Sequence, residues 1–268
     1  MRARLPGIVA LTVPVLAGLA YLVTMGAPRF YVLINGGAFF LAAVLAATLP
    51  RVADTKAKRI FAATLIVLLF IPLASGPYLN GIARWLPVGP FALHSGALFL
   101  FAFVVLAARD EEYAPPMLLA ALLAASLQPD AATALAVMLS AVGLYNANKD
   151  WRLVPVAGIA LFASMVAALR GELPAQPFVE RVLVSLAFQQ PLAALALAFA
   201  LLAGFLIIAH GINAERRVRH ALAGCLFGFT LAAVFSNYPS ILIGYGAAPI
   251  LGFGLAIGLA TGKARQTT

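Results

Sequence analysis

The chain has 268 residues, of which 63% are hydrophobic and 10% charged, with a net charge of +9 and a mean hydropathy of +1.01. So much apolar surface excludes a water-soluble globule, and the continuous apolar runs exclude a β-barrel, whose strands alternate. The basic residues sit in short loops between those runs without an interleaved aromatic stripe, which excludes a nucleic-acid surface.

The remaining class is an all-α, polytopic integral membrane protein, read as one transmembrane domain over residues 1–268. About 20 apolar residues cross a bilayer. On that measure the runs predict about ten spans, at 6–26, 30–49, 60–76, 90–108, 116–127, 131–145, 153–169, 181–210, 221–236 and 241–262. The fifth and sixth are short and read either as two spans or as one re-entrant hairpin. The first follows Met1-Arg-Ala-Arg4, which resembles the basic start of a signal peptide. No convincing cleavage site follows, so the run reads as an anchor. The single cysteine, Cys225, lies in an apolar run and reads as a small core residue, which leaves no disulfide and no cysteine-based metal site.

Orientation follows from the basic residues on alternating loops. One side carries Arg2, Arg4, Arg51, Lys56, Lys58, Arg59, Arg109, Lys149, Arg152, Arg216, Arg217, Arg219, Lys263 and Arg265. The other carries Arg29, Arg84, Arg170 and Arg181. The richer side belongs in the cytoplasm, which places both termini there. The cluster from His210 to His220 adds attraction for anionic membrane lipids.

Loop 77–89 holds a turn signal, Asn80-Gly81, and then Arg84-Trp85. That pair suits an interfacial aromatic anchor with a snorkelling arginine, or a pyrophosphate contact beside an aromatic platform. His94 opens the fourth span, where a lone histidine reads as an interface residue rather than a ligand. In Ser126-Leu-Gln128-Pro129-Asp130-Ala-Ala-Thr133, one carboxylate stands between two apolar runs. An ionised Asp at the centre of a lipid-exposed helix costs about 2.5–3.5 kcal/mol. Pro129 disfavours helix at Gln128, so Asp130 is placed either as the N-cap of the next helix or as a polar centre within the bundle.

The outside loop 171–180 is short and ends in Glu180-Arg181, where the carboxylate suits a helix start or a general base. Gln189-Gln190-Pro191 predicts a kink in the long eighth span. Ser236-Asn-Tyr-Pro-Ser240 leads into Gly244-Tyr245-Gly246-Ala-Ala248, small residues that permit close packing around Tyr245, which is a belt residue or a contact inside the bundle. No metal-ligand spacing appears among these groups.

Three of these stretches, in this order, resemble motifs of the shape, elongation, division and sporulation (SEDS) proteins of RodA and FtsW type. Asn80-Gly-Ile-Ala-Arg84-Trp85-Leu-Pro-Val-Gly89 is similar to the family's N-G-A-R-R-W loop. Gln128-Pro-Asp130-Ala-Ala-Thr133-Ala134 is similar to its Q-P-D-[LF]-G-T-[AS] motif, the most specific of the three. Pro239-Ser-Ile-Leu-Ile-Gly244-Tyr245-Gly246 is similar to its P-L-P-[LF]-[VI]-S-Y-G-G turn. The chain departs where the family has Q-P-S-E-x-x-K, since Leu93-His94-Ser95-Gly96-Ala97-Leu98-Phe99 lacks both acid and lysine. The family's large outside loop before the eighth span is cut to about ten residues, with Glu180 nearest to the family's catalytic Asp.

The resemblance implies a bacterial inner-membrane protein of cell-wall synthesis in elongation or division. It implies a peptidoglycan glycosyltransferase using lipid II beside a class B penicillin-binding protein. Glu180 is then the base, while Arg84, Trp85, Gln128, Asp130 and Tyr245 contact substrate. No cofactor is implied, although Asp130 suits a divalent cation. The departures imply the alternative, a non-catalytic scaffold or binder of a lipid-linked precursor.

Overall fold

A computed structural model describes residues 2–50, 52–171 and 173–261. Met1, Arg51, Glu172, Gly262, Lys263 and Arg265 lie outside the described residues. The chain runs through α1 (Leu5–Thr24), α2 (Arg29–Thr48), α3 (Thr55–Phe70) and the short α4 (Pro72–Ser75). Strands β1 (Trp85–Val88) and β2 (Phe91–His94) follow, then α5 (Ser95–Ala107), α6 (Ala114–Leu127), α7 (Ala131–Asn148) and α8 (Leu153–Arg170). The last helices are α9 (Val182–Gln189), α10 (Pro191–Leu206), α11 (Arg216–Phe235) and α12 (Ala247–Thr261).

Among the described residues seven helices, counting α3 with α4 and α10 with the π-turn Ile207–Gly211, are long and apolar enough to cross a membrane. Helices α5, α6 and α12 are apolar but shorter, so about ten crossings is not what length alone gives. The molecule is a multi-pass membrane protein. Its outward side chains include Leu33, Phe162, Leu169, Phe188 and Leu192, large apolar groups that water would not tolerate in such numbers.

Three expected boundaries change. The run 90–108 does not start as a helix: Pro90 follows Gly89 in a hairpin turn, and Trp85 pairs with His94 and Val88 with Phe91 across antiparallel strands. Gly89 supplies the positive φ of 57° that the turn requires. The all-α expectation is therefore modified by one small hairpin. The run 181–210 is split, because Pro191 has no N–H to continue α9 and restarts the chain as α10. The run 241–262 becomes helix only at Ala247, after a turn at 239–246.

Helix α5 is the central column. It is apolar on all sides, and Leu100–Ala107 are buried throughout. Helices α7 and α11 approach closely across Gly224 and Gly228, where a Cβ would come within 2.2 Å of Leu139 O and 2.5 Å of Ala136 Cα. This Gly-xxx-Gly spacing lets backbone meet backbone, which drives helix association where apolar burial alone cannot.

One end of the bundle gathers the basic residues. Arg4 donates to Ala46 O and Leu49 O at the end of α2, and Arg109 to Leu259 O and Ala260 O at the end of α12, satisfying last-turn carbonyls. Arg59 pairs with Asp110 at 2.6 Å and with Glu112 at 3.1 Å, and Arg217 pairs with Glu111. The opposite end holds the hairpin, the 173–181 segment and the 236–246 turn.

Candidate functional site

At that opposite end a cavity of about 310 Å³ is lined by Arg84, Trp85, His94, Glu180, Tyr245 and neighbouring apolar residues. The hairpin sets Arg84 in place, since Arg84 O accepts from Ser95 N at 3.0 Å. Its guanidinium lies 4.8 Å from the Trp85 ring and 4.6 Å from the Tyr238 ring, and the residue is 2% exposed. Aromatic faces offset part of the desolvation of a cation. The Tyr238 hydroxyl is a side-chain hydrogen-bond partner of Arg84, but Nε and Nη1 have no hydrogen-bond partner among the described residues. A buried guanidinium with unmet donors is a site for an anion.

Glu180 reaches the cavity from the segment before α9. Its backbone bridges antiparallel to Pro239, and Oε2 accepts from Gln176 N. Phe178 and Arg181, on either side, have φ of 66° and 53°, a conformation that persists only where surroundings enforce it. Burial pushes the Glu180 carboxyl up from its ordinary value, against the opposing effects of the Gln176 amide and the Arg84 charge. Glu180 also borders a second cavity of about 360 Å³, which Tyr21, Gln176, Ser185 and Gln189 line. The carboxylate thus stands between two spaces, one holding a cation and one lined by hydroxyls and amides.

Tyr245 stacks flat on Tyr31, with ring centroids 3.6 Å apart and planes 4° apart. Asp130 is the N-cap of α7, accepting from Thr133 N at 3.1 Å and Thr133 Oγ1 at 2.5 Å. It does not line the cavity and sits behind His94, whose Nε2 is 3.4 Å away. Gln128 is buried outside the cavity as well, tying α6 to α3 and α5 by donating to Leu69 O and accepting from Ser95 Oγ at 3.4 Å. The fold therefore brings Arg84, Trp85, Glu180 and Tyr245 to one cavity and leaves Asp130 and Gln128 as supports beneath it. Among the described residues no three His, Cys, Asp or Glu side chains come together as a metal site.

Three contributors escape sequence reasoning. His94, expected at an interface, is 6% exposed and caps α5 by accepting from Ala97 N at Nδ1. Tyr238 faces Arg84 and accepts from Ala131 N at 2.8 Å. Asn35, on α2, holds the Tyr245 turn. A polar side chain in the middle of an apolar run was its signal.

Bundle and cavity define a multi-pass membrane protein with a largely apolar, cation-bearing pocket at one end of the helices. No protein-family model matches the chain, and no curated protein matches it. Among solved structures it is similar to the rod shape determining protein RodA of Thermus thermophilus, at 20% identity and a TM-score of 0.68, over 94% of this chain and 93% of that one. A point mutant of that RodA superposes with a TM-score of 0.70 at 20% identity, covering 94% of both chains. A chain from a peptidoglycan synthase complex whose structure addresses polymerization and crosslinking gives a TM-score of 0.66 at 19% identity, over 92% of this chain and 96% of that one. The fold is that of a RodA/FtsW-type, or SEDS, protein.

Proposed function

We propose that the chain is a SEDS protein of bacterial cell-wall synthesis that extends glycan from lipid II. The single observation that carries this reading is the pairing of Arg84, buried and short of acceptors, with Glu180 on one cavity. Arg84 binds the pyrophosphate of the lipid-linked donor and stabilises its charge as it leaves. The acceptor hydroxyl enters from the second cavity, and its oxygen attacks the anomeric carbon. The bond from that carbon to pyrophosphate breaks with its electron pair going to the leaving group, and Glu180 takes the hydroxyl proton. Tyr245 and Trp85 provide aromatic walls for the transferred sugar.

In this reading the basic end of the bundle faces the cytoplasm, both termini included, and the site opens on the outer face of the inner membrane. Helices α5, α6 and α12 complete ten crossings. A class B penicillin-binding protein supplies the outer surface that the short 171–181 segment does not. That shortness also favours a second reading, a non-catalytic member that binds a lipid-linked precursor. Purified protein, labelled lipid II and such a partner separate the two. Glycan product that vanishes in Glu180→Ala supports the polymerase. Saturable lipid II binding without product, lost in Arg84→Ala, supports the binder. Neither product nor binding overturns both.

A further inference from the structure

Asn35 lies within α2, 1% exposed, in a helix whose outer face is apolar. A carboxamide there must find its partners inside protein. It finds one on each side of Tyr245: Nδ2 donates to Gly244 O at 2.9 Å, and Oδ1 accepts from Gly246 N at 3.0 Å. The turn so gripped is bonded in its turn to the segment bearing Glu180. Tyr245 N donates to Phe178 O at 2.7 Å, Ser240 N to Val179 O at 2.8 Å, and Val182 N to Ser240 Oγ at 2.9 Å. The approach is close enough that a Cβ on Gly244 would lie 2.8 Å from Val179 O. Tyr31, one helical turn before Asn35, backs the Tyr245 ring.

We propose that Asn35 is a positioning residue for the site: its carboxamide locks α2 to the 239–246 turn, and the turn holds the 176–182 segment, so that α2, Tyr245 and Glu180 move as one body. Asn35 touches no substrate. The lock is what keeps the left-handed residues Phe178 and Arg181 in place around the carboxylate. Its importance for turnover rests on the reading of Glu180 as the base, but the lock itself is measurable without turnover.

Amide hydrogen exchange in detergent is compared for the wild type, Asn35→Leu, Asn35→Asp and Ser240→Ala. Asn35→Leu raises exchange about tenfold or more over both 240–246 and 178–182 and leaves α7 and α11 unchanged. Asn35→Asp keeps the acceptor for Gly246 N and gives a smaller rise. Ser240→Ala raises exchange at 178–182 alone. A rise confined to 244–246 in Asn35→Leu, with 178–182 as protected as in the wild type, overturns the proposal. If Asn35→Leu loosens every helix, Ser240→Ala decides, and unchanged exchange at 178–182 in that variant overturns it. Where the wild type polymerises lipid II, Asn35→Leu lowers kcat by a larger factor than it raises KM, the rise in KM coming from the loosened Tyr245 wall. The acid limb of its rate profile moves to lower pH as Glu180 gains water, with Arg84, His94, Tyr245 and Tyr21 still facing it across the two cavities. An unmoved limb counts against the proposal, whereas a wild type without product counts against the polymerase reading and leaves the exchange result standing.

Discussion

His94 Nε2 lies 3.4 Å from Asp130 Oδ2 without a hydrogen bond between them, which sets the start of α5 against the start of α7 directly behind the cavity. The two helices approach closely because residue 96 is glycine: a Cβ there would sit 1.8 Å from Thr133 Oγ1. Removing the carboxylate strips Thr133 of its cap acceptor and leaves His94 beside an empty space. Asp130→Ala is expected to cost about 2–4 kcal/mol, the sum of a lost cap and buried donors left unmet. Asp130→Asn, which still caps, is expected to cost about 1 kcal/mol. Thermal unfolding in detergent reads both, and equal losses would show that the cap is not what Asp130 supplies.

In the proposed role of base, Glu180 must be ionised to accept a proton. Burial holds its carboxyl above the ordinary value of 4.5, so the base is idle at a pH where an exposed glutamate already works. Polymerisation is therefore expected to fall away on acidification with an apparent pKa above 4.5. Glu180→Gln is expected to lower kcat by about 100-fold or more while lipid II binding stays within a few fold. A Gln variant that still polymerises at the wild-type rate removes Glu180 from the role of base.

Arg84 lies against two rings, a geometry that a planar guanidinium satisfies and a compact ammonium does not. Arg84→Lys keeps the charge and is nonetheless expected to weaken binding of a polyprenyl pyrophosphate about tenfold. Arg84→Ala is expected to abolish it. Titration of the detergent-solubilised protein checks the order, and equal affinities for Lys and Arg would mean that charge alone holds the anion.

The α7–α11 contact has no space for a side chain at Gly224. Gly224→Leu is expected to force the helices apart and to destabilise the bundle by about 2 kcal/mol or more. Gly36 provides the control, since a Cβ there would meet nothing within 4 Å, and Gly36→Ala is expected to be neutral or slightly stabilising. Thermal unfolding of the two variants settles the comparison.

At the basic end, Arg59 bonds Asp110 and holds its carboxyl below the usual value of 3.8. A depressed carboxylate stabilises the fold at every pH above its unfolded value, and the contribution is lost as pH falls through the lower folded value. The stability difference between wild type and Asp110→Asn is thus expected to be full near neutrality and to shrink below about pH 4. A difference that does not change with pH would assign the effect of Asp110 to its hydrogen bond with Tyr113 N instead.

The membrane as solvent, and where most of the helices run, are legible in the chain before any fold is known. Apolar runs long enough for a bilayer and basic residues in the intervening loops are local properties, and the helices at Leu5–Thr24, Arg29–Thr48 and Leu153–Arg170 fall where those runs predict. Asp130 as a cap was equally legible, because a cap is fixed by residues three apart. The hairpin at Trp85–His94 was not, since Pro90 and the apolar residues after it carry the same signal as a helix start. It takes the packed bundle to bring Arg84, Glu180 and Tyr245 to one cavity, to set His94 against Asp130 and to let Asn35 grip the Tyr245 turn. Those contacts join residues far apart in the chain, and the partners of Asn35 are a backbone carbonyl and a backbone amide. Every residue type carries such groups, so no pattern of side chains announces them.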